Sequence, residues 1–182
     1  MPYRPKSNPQ LSLKPQDLVV LLRLSLAEGP APSYAALAGE LRMTASEVHA
    51  AIDRATQAQL ARKDSSGKAT VIREALRLFV QYGARYAFPA VRGEVTRGMP
   101  TSHAAPPLNA LMAPSNDLPP VWPHKSGAVR GPAFYPLYPT VPEAAGSNPA
   151  LYELLSLFDA VRGGSMRERA LAIAQLDERL GH

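Results

Sequence analysis

The placement of proline limits what this chain can fold into. Thirteen of the nineteen prolines in this 182-residue chain lie between Pro89 and Pro149. Proline removes a backbone donor and clashes with the preceding helical turn, so long helices are excluded from that stretch. Helices are therefore predicted on the two flanks, with an irregular segment between them.

These flanks and the middle segment define a mainly α fold of four parts. We expect an N-terminal arm over residues 1–13, a helical domain over 14–83, an irregular proline-rich segment over 84–147 and a helical hairpin over 148–182. The middle segment contains aromatic residues such as Trp122, which a disordered segment usually lacks. We expect it to be ordered, with short strands at "PAFYPLYP".

The first and last helices are predicted from their end signals. In "KPQDLVVLLRLSLAEG", Pro15 fits the first helical position and Gly29 the C-terminal end. In the last zone Asn148 precedes Pro149 as an N-cap, and Ser165-x-x-Glu168 is a capping box. The two C-terminal helices are too few to bury their apolar stripes alone, so they must pack on the N-terminal domain or on another subunit.

Two short helices are predicted between Ser33 and Gln57. Ser33 is a natural N-cap, and Thr44-x-x-Glu47 is a second capping box. Met43 would be buried in the tight turn between the helices. The second helix would bury one side, formed by Val48, Ile52 and Ala55.

The opposite side of that second helix is slim and polar, as a helix in a major groove requires. It presents Ala45, Ser46, His49, Ala50 and Asp53, with Arg54 on its flank. The following "QLARKDSSGKATVI" predicts strand, turn and strand. Three cations cluster at this hairpin: Arg62, Lys63 and Lys68.

This order of helix, helix-turn-helix and basic hairpin resembles the winged helix-turn-helix of bacterial transcriptional regulators of the MarR type. The resemblance covers residues 14–82 and is carried by "YAALAGELRMTASEVHAAIDRATQAQLARKD". It implies that the helix from Thr44 enters the major groove and that the hairpin around Ser66 is the wing. The residues expected to contact DNA are Ser33, Tyr34, Thr44, Ala45, Ser46, His49, Ala50, Arg54, Arg62, Lys63 and Lys68.

The leading hypothesis is a sequence-specific regulator that binds double-stranded DNA as a homodimer. The alternative is a protein-interaction adaptor or antitoxin-like partner, which would use the same scaffold and residues 84–182 to bind another protein. If the solvent side of the Thr44 helix were buried against residues 84–182, DNA reading would be excluded. His49 could contact a base, contact a phosphate, or be a solvated surface residue without a partner. The hairpin cations could contact phosphates or simply be solvated.

A second basic stretch, "RYAFPAVRGEVTRGMPTSH", has two interpretations. Its arginines and histidine are Arg85, Arg92, Arg97 and His103. They could form an anion site or an arm on the DNA backbone. Alternatively, the stretch is an ordered connector whose side chains bind backbone carbonyls or acidic residues.

Other classes of function lack their signatures. The chain has no cysteine, no histidine spacing of a metal site, no glycine-rich nucleotide motif and no nucleophile arrangement, so we expect neither an enzyme nor a cofactor. The net charge of +5 suits an anionic partner. Because the apolar runs are too short for a membrane span and "MPYRPKSNPQ" is no signal peptide, we expect a cytoplasmic protein.

Overall fold

The computed structural model describes residues 10–181, so residues 1–9 of the predicted arm lie outside the described residues. The chain is mainly α-helical with two small sheets. Its first part contains α1 (Pro15–Ser25), α2 (Tyr34–Leu41), α3 (Ala45–Gln57), β1 (Ala61–Lys63) and β2 (Ala69–Val71). The two strands form an antiparallel hairpin.

Helix α1 begins at Pro15, as predicted, but ends before the predicted Gly29. Its last turn tightens, since the amides of Leu26 and Ala27 donate to carbonyls three residues back at 3.2 and 3.1 Å. Such tight bonds are typical of a helix terminus. Gly29, with a φ of 144°, lies in the loop that follows.

A bent helical segment follows the hairpin and continues past the predicted boundary at residue 83. It consists of α4 (Arg73–Leu78), one π-helical turn (Phe79–Gly83) and α5 (Ala84–Ala87). Beyond it lie β3 (Arg92–Pro100), a 3₁₀ turn (Ser102–Ala104), α6 (Leu108–Leu111), β4 (Val121–Pro123) and β5 (Val129–Phe134). The C-terminal part contains α7 (Val141–Gly146), α8 (Pro149–Gly163) and α9 (Met166–Leu180).

The middle segment contains a three-stranded sheet in addition to short helices and loops, so it is more regular than predicted. Strand β3 pairs antiparallel with both β4 and β5, and β4 meets β5 in parallel at Val121 and Ala133. The strand predicted at "PAFYPLYP" exists only in part, as the end of β5. Pro132 lies opposite Val95, at a register shift in β3, where a missing donor is tolerated.

Two glycines allow this sheet to close. A Cβ at Gly98 would lie 2.0 Å from the carbonyl oxygen of Trp122, and one at Gly131 would lie 1.7 Å from that of Pro119. Only glycine permits backbones to approach so closely. The strands therefore depend on residues that a sequence pattern assigns to loops.

The predicted C-terminal hairpin is confirmed. The side chain of Asn148 accepts from the amide of Leu151 at 3.0 Å and caps α8. At α9, Ser165 and Glu168 form the predicted capping box through bonds of 2.8 and 3.3 Å. Gly163 is the last residue of α8.

A buried carboxylate connects α8 to the sheet and the preceding loop. Asp159 accepts from the Thr101 hydroxyl at 2.7 Å and from the Trp122 indole at 2.6 Å. Its other oxygen accepts from Arg162 at 2.8 Å, and Arg162 also donates to the carbonyl of Tyr135 at 2.9 Å. Buried charges persist only when they are paired and hydrogen-bonded in this way.

Most of the buried apolar side chains form one cluster that spans the first helices, Trp122 of the sheet and the C-terminal hairpin. It includes Leu22 of α1, Trp122 of β4, Leu154 and Phe158 of α8, and Leu176 of α9. The hairpin thus packs on the rest of its own chain. Among residues 10–181, no helix combines the length and apolar character needed to cross a bilayer.

Candidate nucleic-acid interface

The N-terminus of α3 is held by the predicted capping box. The amide of Glu47 donates to Thr44 Oγ1 at 3.2 Å, and the amide of Thr44 donates to Glu47 Oε2 at 2.8 Å. Arg42, with a φ of 56°, and the buried Met43 form the short turn from α2. This geometry fixes where α3 starts relative to α2.

Helix α3 has the two predicted sides. Val48, Ile52 and Ala55 are buried. Ala45, Ser46 and His49 are exposed, and Ala50 and Asp53 are half-buried. The exposed side therefore carries no large apolar side chain that would need to be covered.

His49 is oriented by two neighbours. Its Nδ1 lies 3.1 Å from Oδ2 of Asp53, one turn further along α3. Its ring meets the Tyr34 ring edge-on, with centroids 5.5 Å apart and an interplanar angle of 78°. Since a carboxylate only accepts, the proton in this contact is carried by Nδ1, and Nε2 is left free of Asp53.

Asp53 also binds Lys63 of the hairpin. The hydrogen bond from Lys63 is the largest influence that holds the pKa of Asp53 below its ordinary value, and the same bond raises the pKa of Lys63. Asp53 thereby links α3 to β1. It also neutralises one of the three hairpin cations, which the sequence did not reveal.

The hairpin turn is organised by Asp64. Its Oδ1 accepts from the amides of Ser66 and Lys68 at 2.8 and 3.0 Å and from the Ser66 hydroxyl at 2.7 Å. These bonds, with that from the Ser66 hydroxyl first, hold the pKa of Asp64 below its ordinary value. Gly67 supplies the positive φ of 79° that the turn requires.

Tyr34 connects this turn to α2. Its hydroxyl donates to the carbonyl of Gly67 at 2.8 Å. Ser33, immediately before it, caps α2 by accepting from the amide of Ala36 at 3.1 Å. Both predicted residues thus have structural roles: Ser33 starts α2, and Tyr34 holds the hairpin turn beside His49.

Arg54 does not belong to the exposed surface, which corrects its predicted DNA contact. Its guanidinium donates to both carboxylate oxygens of Asp17 at 2.8 and 2.7 Å. The side chain is only 15% exposed, and that of Asp17 is 1% exposed. Because leaving Asp17 unpaired would be costly, Arg54 is committed to linking α3 with α1.

The other hairpin cations are exposed. Arg62 donates to Thr70 Oγ1 at 3.3 Å, across the hairpin. No ion pair to Lys68 occurs within residues 10–181. Arg42, in the turn before α3, is also exposed and was missed, because the sequence pattern marks this position only as a turn.

One contact reaches α3 from the middle segment. The Tyr138 hydroxyl donates to Glu47, and this bond is the largest influence that lowers the pKa of Glu47. Thr140 Oγ1 donates to the carbonyl of Leu41 at 2.8 Å nearby. These contacts lie at the N-terminal edge of α3 and leave Ser46 and His49 exposed.

The second basic stretch is divided between two environments. Arg92 donates to the carbonyl of Gly163 at 2.7 Å, and His103 Nδ1 lies 3.3 Å from Glu168. Both fit the interpretation as a connector. The Arg85 guanidinium lies 5.0 Å from the centroid of the Tyr86 ring, while Arg97 is exposed on β3.

Across residues 10–181, no three histidine, aspartate or glutamate side chains are grouped so that they could hold a metal ion. No protein-family model matches the chain. Neither a curated protein nor a solved structure matches it.

Proposed function

We propose that this chain is a sequence-specific double-stranded DNA-binding protein of the bacterial transcription-regulator type. In this proposal α1 to β2 form a winged helix-turn-helix. Helix α3 lies in the major groove, and the β1–β2 hairpin is the wing that contacts phosphates.

The observation that supports this proposal most directly is the solvent side of α3. Ser46 and His49 are exposed although residues 84–182 pack against the neighbouring helix α2 and the start of α3. An adaptor that used this helix would be expected to present large apolar side chains there. Small and polar side chains instead suit a groove about 12 Å wide.

Specificity would come from the first turns of α3. Ser46 can donate or accept, and the Ala50 methyl can meet a thymine methyl. Nδ1 of His49 is engaged by Asp53, so Nε2 is the ring nitrogen left to contact a base. Nε2 donates to a guanine acceptor when the ring carries two protons, and it accepts from an exocyclic amine of adenine or cytosine when the ring carries one.

Affinity would come from Arg62, Lys63 and Lys68 on the hairpin, with Arg42 beside α3. Lys63 is paired with Asp53, so a phosphate would have to exchange with this carboxylate. Exposed ion pairs contribute little to stability, which makes such an exchange inexpensive. Tyr34 would hold the hairpin turn in place through Gly67.

Selection from a pool of random duplexes tests this function. The wild-type protein should enrich a defined sequence. The Ser46→Glu variant should not, because it places a negative charge in the groove while α3 keeps its buried side. The Glu178→Lys variant, altered on an exposed position of α9, should enrich the same sequence as wild type. Failure of the wild-type protein to enrich any sequence would refute sequence-specific reading.

The homodimer expected for such a regulator is supported by a different surface. In the helical segment 73–87, three large apolar side chains spaced four residues apart are exposed. The exposed fractions are 43% for Leu78, 65% for Tyr82 and 74% for Tyr86. Exposed apolar groups at this spacing are typical of a helix-packing face. Antiparallel pairing with a second copy would bring the end with Glu74 near Arg85 of the partner, so we assign this face to a homodimer.

The mass in solution tests this assignment. Wild-type protein should have twice the mass of one chain at micromolar concentration, and Tyr82→Lys should shift it towards one chain. Leu118→Lys alters an exposed apolar residue elsewhere and should leave the mass unchanged. A wild-type protein with the mass of a single chain would exclude the homodimer.

A further inference from the structure

Two arginines face each other on the sheet without an acidic partner. Arg97 of β3 and Arg130 of β5 are directly opposed in the antiparallel register, and both are exposed. Opposed residues have Cβ atoms about 5 Å apart, and like charges at this distance are destabilising. Neither arginine forms an ion pair in the part of the chain that the structure describes.

A third cation lies beside this pair. The amide of His124 donates to the carbonyl of Arg97 at 3.1 Å, which places the turn from His124 to Gly127 against β3. Lys125, in that turn, is exposed. No ion pair to Lys125 is formed within residues 10–181. Arg97, Lys125 and Arg130 are called the sheet cluster below.

Acidic groups near the sheet cluster do not neutralise it. Glu94 on β3 is exposed and makes no ion pair with a described residue. Glu143 lies 3.9 Å from His124 rather than against an arginine. An uncompensated group of two arginines and a lysine attracts anions, and the planar guanidinium fork matches phosphate geometry.

A series of contacts by way of α7 leads from the end of α2 to the turn beside the sheet cluster. Thr140 donates to the carbonyl at the end of α2, and Glu143 follows three residues later on α7. Glu143 is the residue near His124, whose amide bonds to Arg97. A duplex is long compared with one recognition helix, so flanking DNA provides phosphates for a second contact region.

We propose that the sheet cluster is a second phosphate-binding site, which contacts the backbone of the DNA that flanks the segment read by α3. This inference rests on the proposed function. In this proposal Arg97 contacts DNA, whereas Arg92 and His103 bind groups within the chain. The sheet would therefore add affinity without adding sequence preference.

Salt titrations on random duplexes of two lengths test the proposal. On a duplex of about 30 base pairs, Arg97→Gln/Arg130→Gln should reduce the slope of log affinity against log salt by about 1.8, since each lost phosphate contact removes about 0.9. On a duplex of about one turn, roughly 12 base pairs, the variant should match wild type. Arg97→Lys/Arg130→Lys keeps both charges and should keep the slope.

Two controls show whether the change in slope comes from the loss of these two arginines and not from general charge or unfolding. Lys14→Gln/Arg167→Gln removes the same charge from exposed positions elsewhere and should leave both slopes unchanged. Thermal melting monitored by circular dichroism should show that every variant is folded. If that control pair loses as much slope as the Arg97/Arg130 variant, general charge is responsible and the site is refuted.

The remaining outcomes decide between the sheet cluster, its flanking position and the proposed function. If Lys63→Ala/Lys68→Ala flattens the slope but Arg97→Gln/Arg130→Gln does not, the sheet cluster is refuted while the proposed function stands. Equal losses on both duplex lengths would contradict the flanking position. If wild type binds no duplex, both proposals fail. Binding of wild type, but not of the variant, to vesicles containing phosphatidylserine, with DNA binding unchanged, would assign the cluster to a lipid surface instead.

Discussion

His49 is the residue on which the specificity account depends most. Its Nδ1 faces Asp53 at 3.1 Å, which leaves Nε2 as the ring nitrogen that can contact a base. His49→Ala should lower affinity for the selected sequence by about 1–3 kcal/mol, the usual value of one good base contact. Affinity for random duplex should change little, because base contacts do not contribute there.

Fluorescence anisotropy with the selected and the random duplex measures both affinities. His103→Ala is the matched control, since His103 pairs with Glu168 near α9 and not with α3. Equal losses of His49→Ala on both duplexes would show that His49 touches only the backbone. An unchanged affinity for both would remove His49 from the interface.

Asp53 is predicted to restrain phosphate binding, because it neutralises Lys63 and places a carboxylate beside the exposed side of α3. Asp53→Asn should therefore raise affinity for random duplex at low salt. The salt slope should stay close to the wild-type value, because Lys63 contacts a phosphate in both proteins and only the competing carboxylate is removed. Glu28→Gln removes the same charge from an exposed loop and serves as the control; an equal rise in both variants would contradict a local role for Asp53.

The same carboxylate gives a pH dependence of stability. The bond from Lys63 lowers the folded-state pKa of Asp53, so the stabilisation is present above the unfolded pKa of about 3.9. It is lost as pH falls through the lower folded value. The difference in melting temperature between wild type and Asp53→Asn should therefore be larger at pH 7 than at pH 3. A difference that grows on acidification would contradict this assignment.

At the scale of elements, the sequence predicted best those features that depend only on residues close together in the chain. The capping boxes at Thr44 and Ser165 and the N-cap at Asn148 were predicted because each involves residues three positions apart. The three-stranded sheet was not predicted. Its pairing depends on residues distant in sequence, and its glycines and prolines are typical of loops in a sequence pattern.

A substitution at a glycine of the sheet tests how closely its backbones approach. Gly131→Ala should destabilise the fold by about 1–3 kcal/mol or more, because its Cβ would overlap the carbonyl oxygen of Pro119. Gly39→Ala, in α2 with no atom near the added Cβ, should instead stabilise by about 0.5–1 kcal/mol. Chemical denaturation measures both. A neutral Gly131→Ala would mean that the strands do not approach this closely.

The sequence predicted the helix of the candidate site, but it did not predict which of the charged side chains are paired. The solvent side of α3 follows from periodicity: Ala45, Ser46 and His49 are exposed in the structure, whereas Ala50 and Asp53 are half-buried. Arg54 was misassigned because helical spacing does not show that Asp17, distant in sequence, is buried opposite it. The pairing of Lys63 with Asp53 and the contact from Tyr138 to Glu47 likewise depend on the tertiary arrangement.

At the scale of the whole molecule, the C-terminal hairpin belongs to the same core as the proposed DNA-binding part. Leu154 and Phe158 of α8 are fully buried in the cluster that includes α1. Deleting residues 148–182 should therefore abolish cooperative thermal unfolding. Leu154→Ala should cost about 2–5 kcal/mol, and Ala174→Ser, at an exposed position of α9, should cost little. A truncated protein with an unchanged melting temperature would show that the hairpin is an independent appendage.

The central claim is that this chain contacts the phosphates of duplex DNA through the β1–β2 hairpin. A salt titration of binding to a random duplex of about one helical turn tests it most directly. We predict that log affinity falls linearly and steeply with log salt for the wild-type protein. Lys63→Ala/Lys68→Ala should flatten the slope by about 1.8, since each phosphate contact contributes about 0.9. The account is contradicted if wild type does not bind at low salt, or if the double variant keeps the wild-type slope.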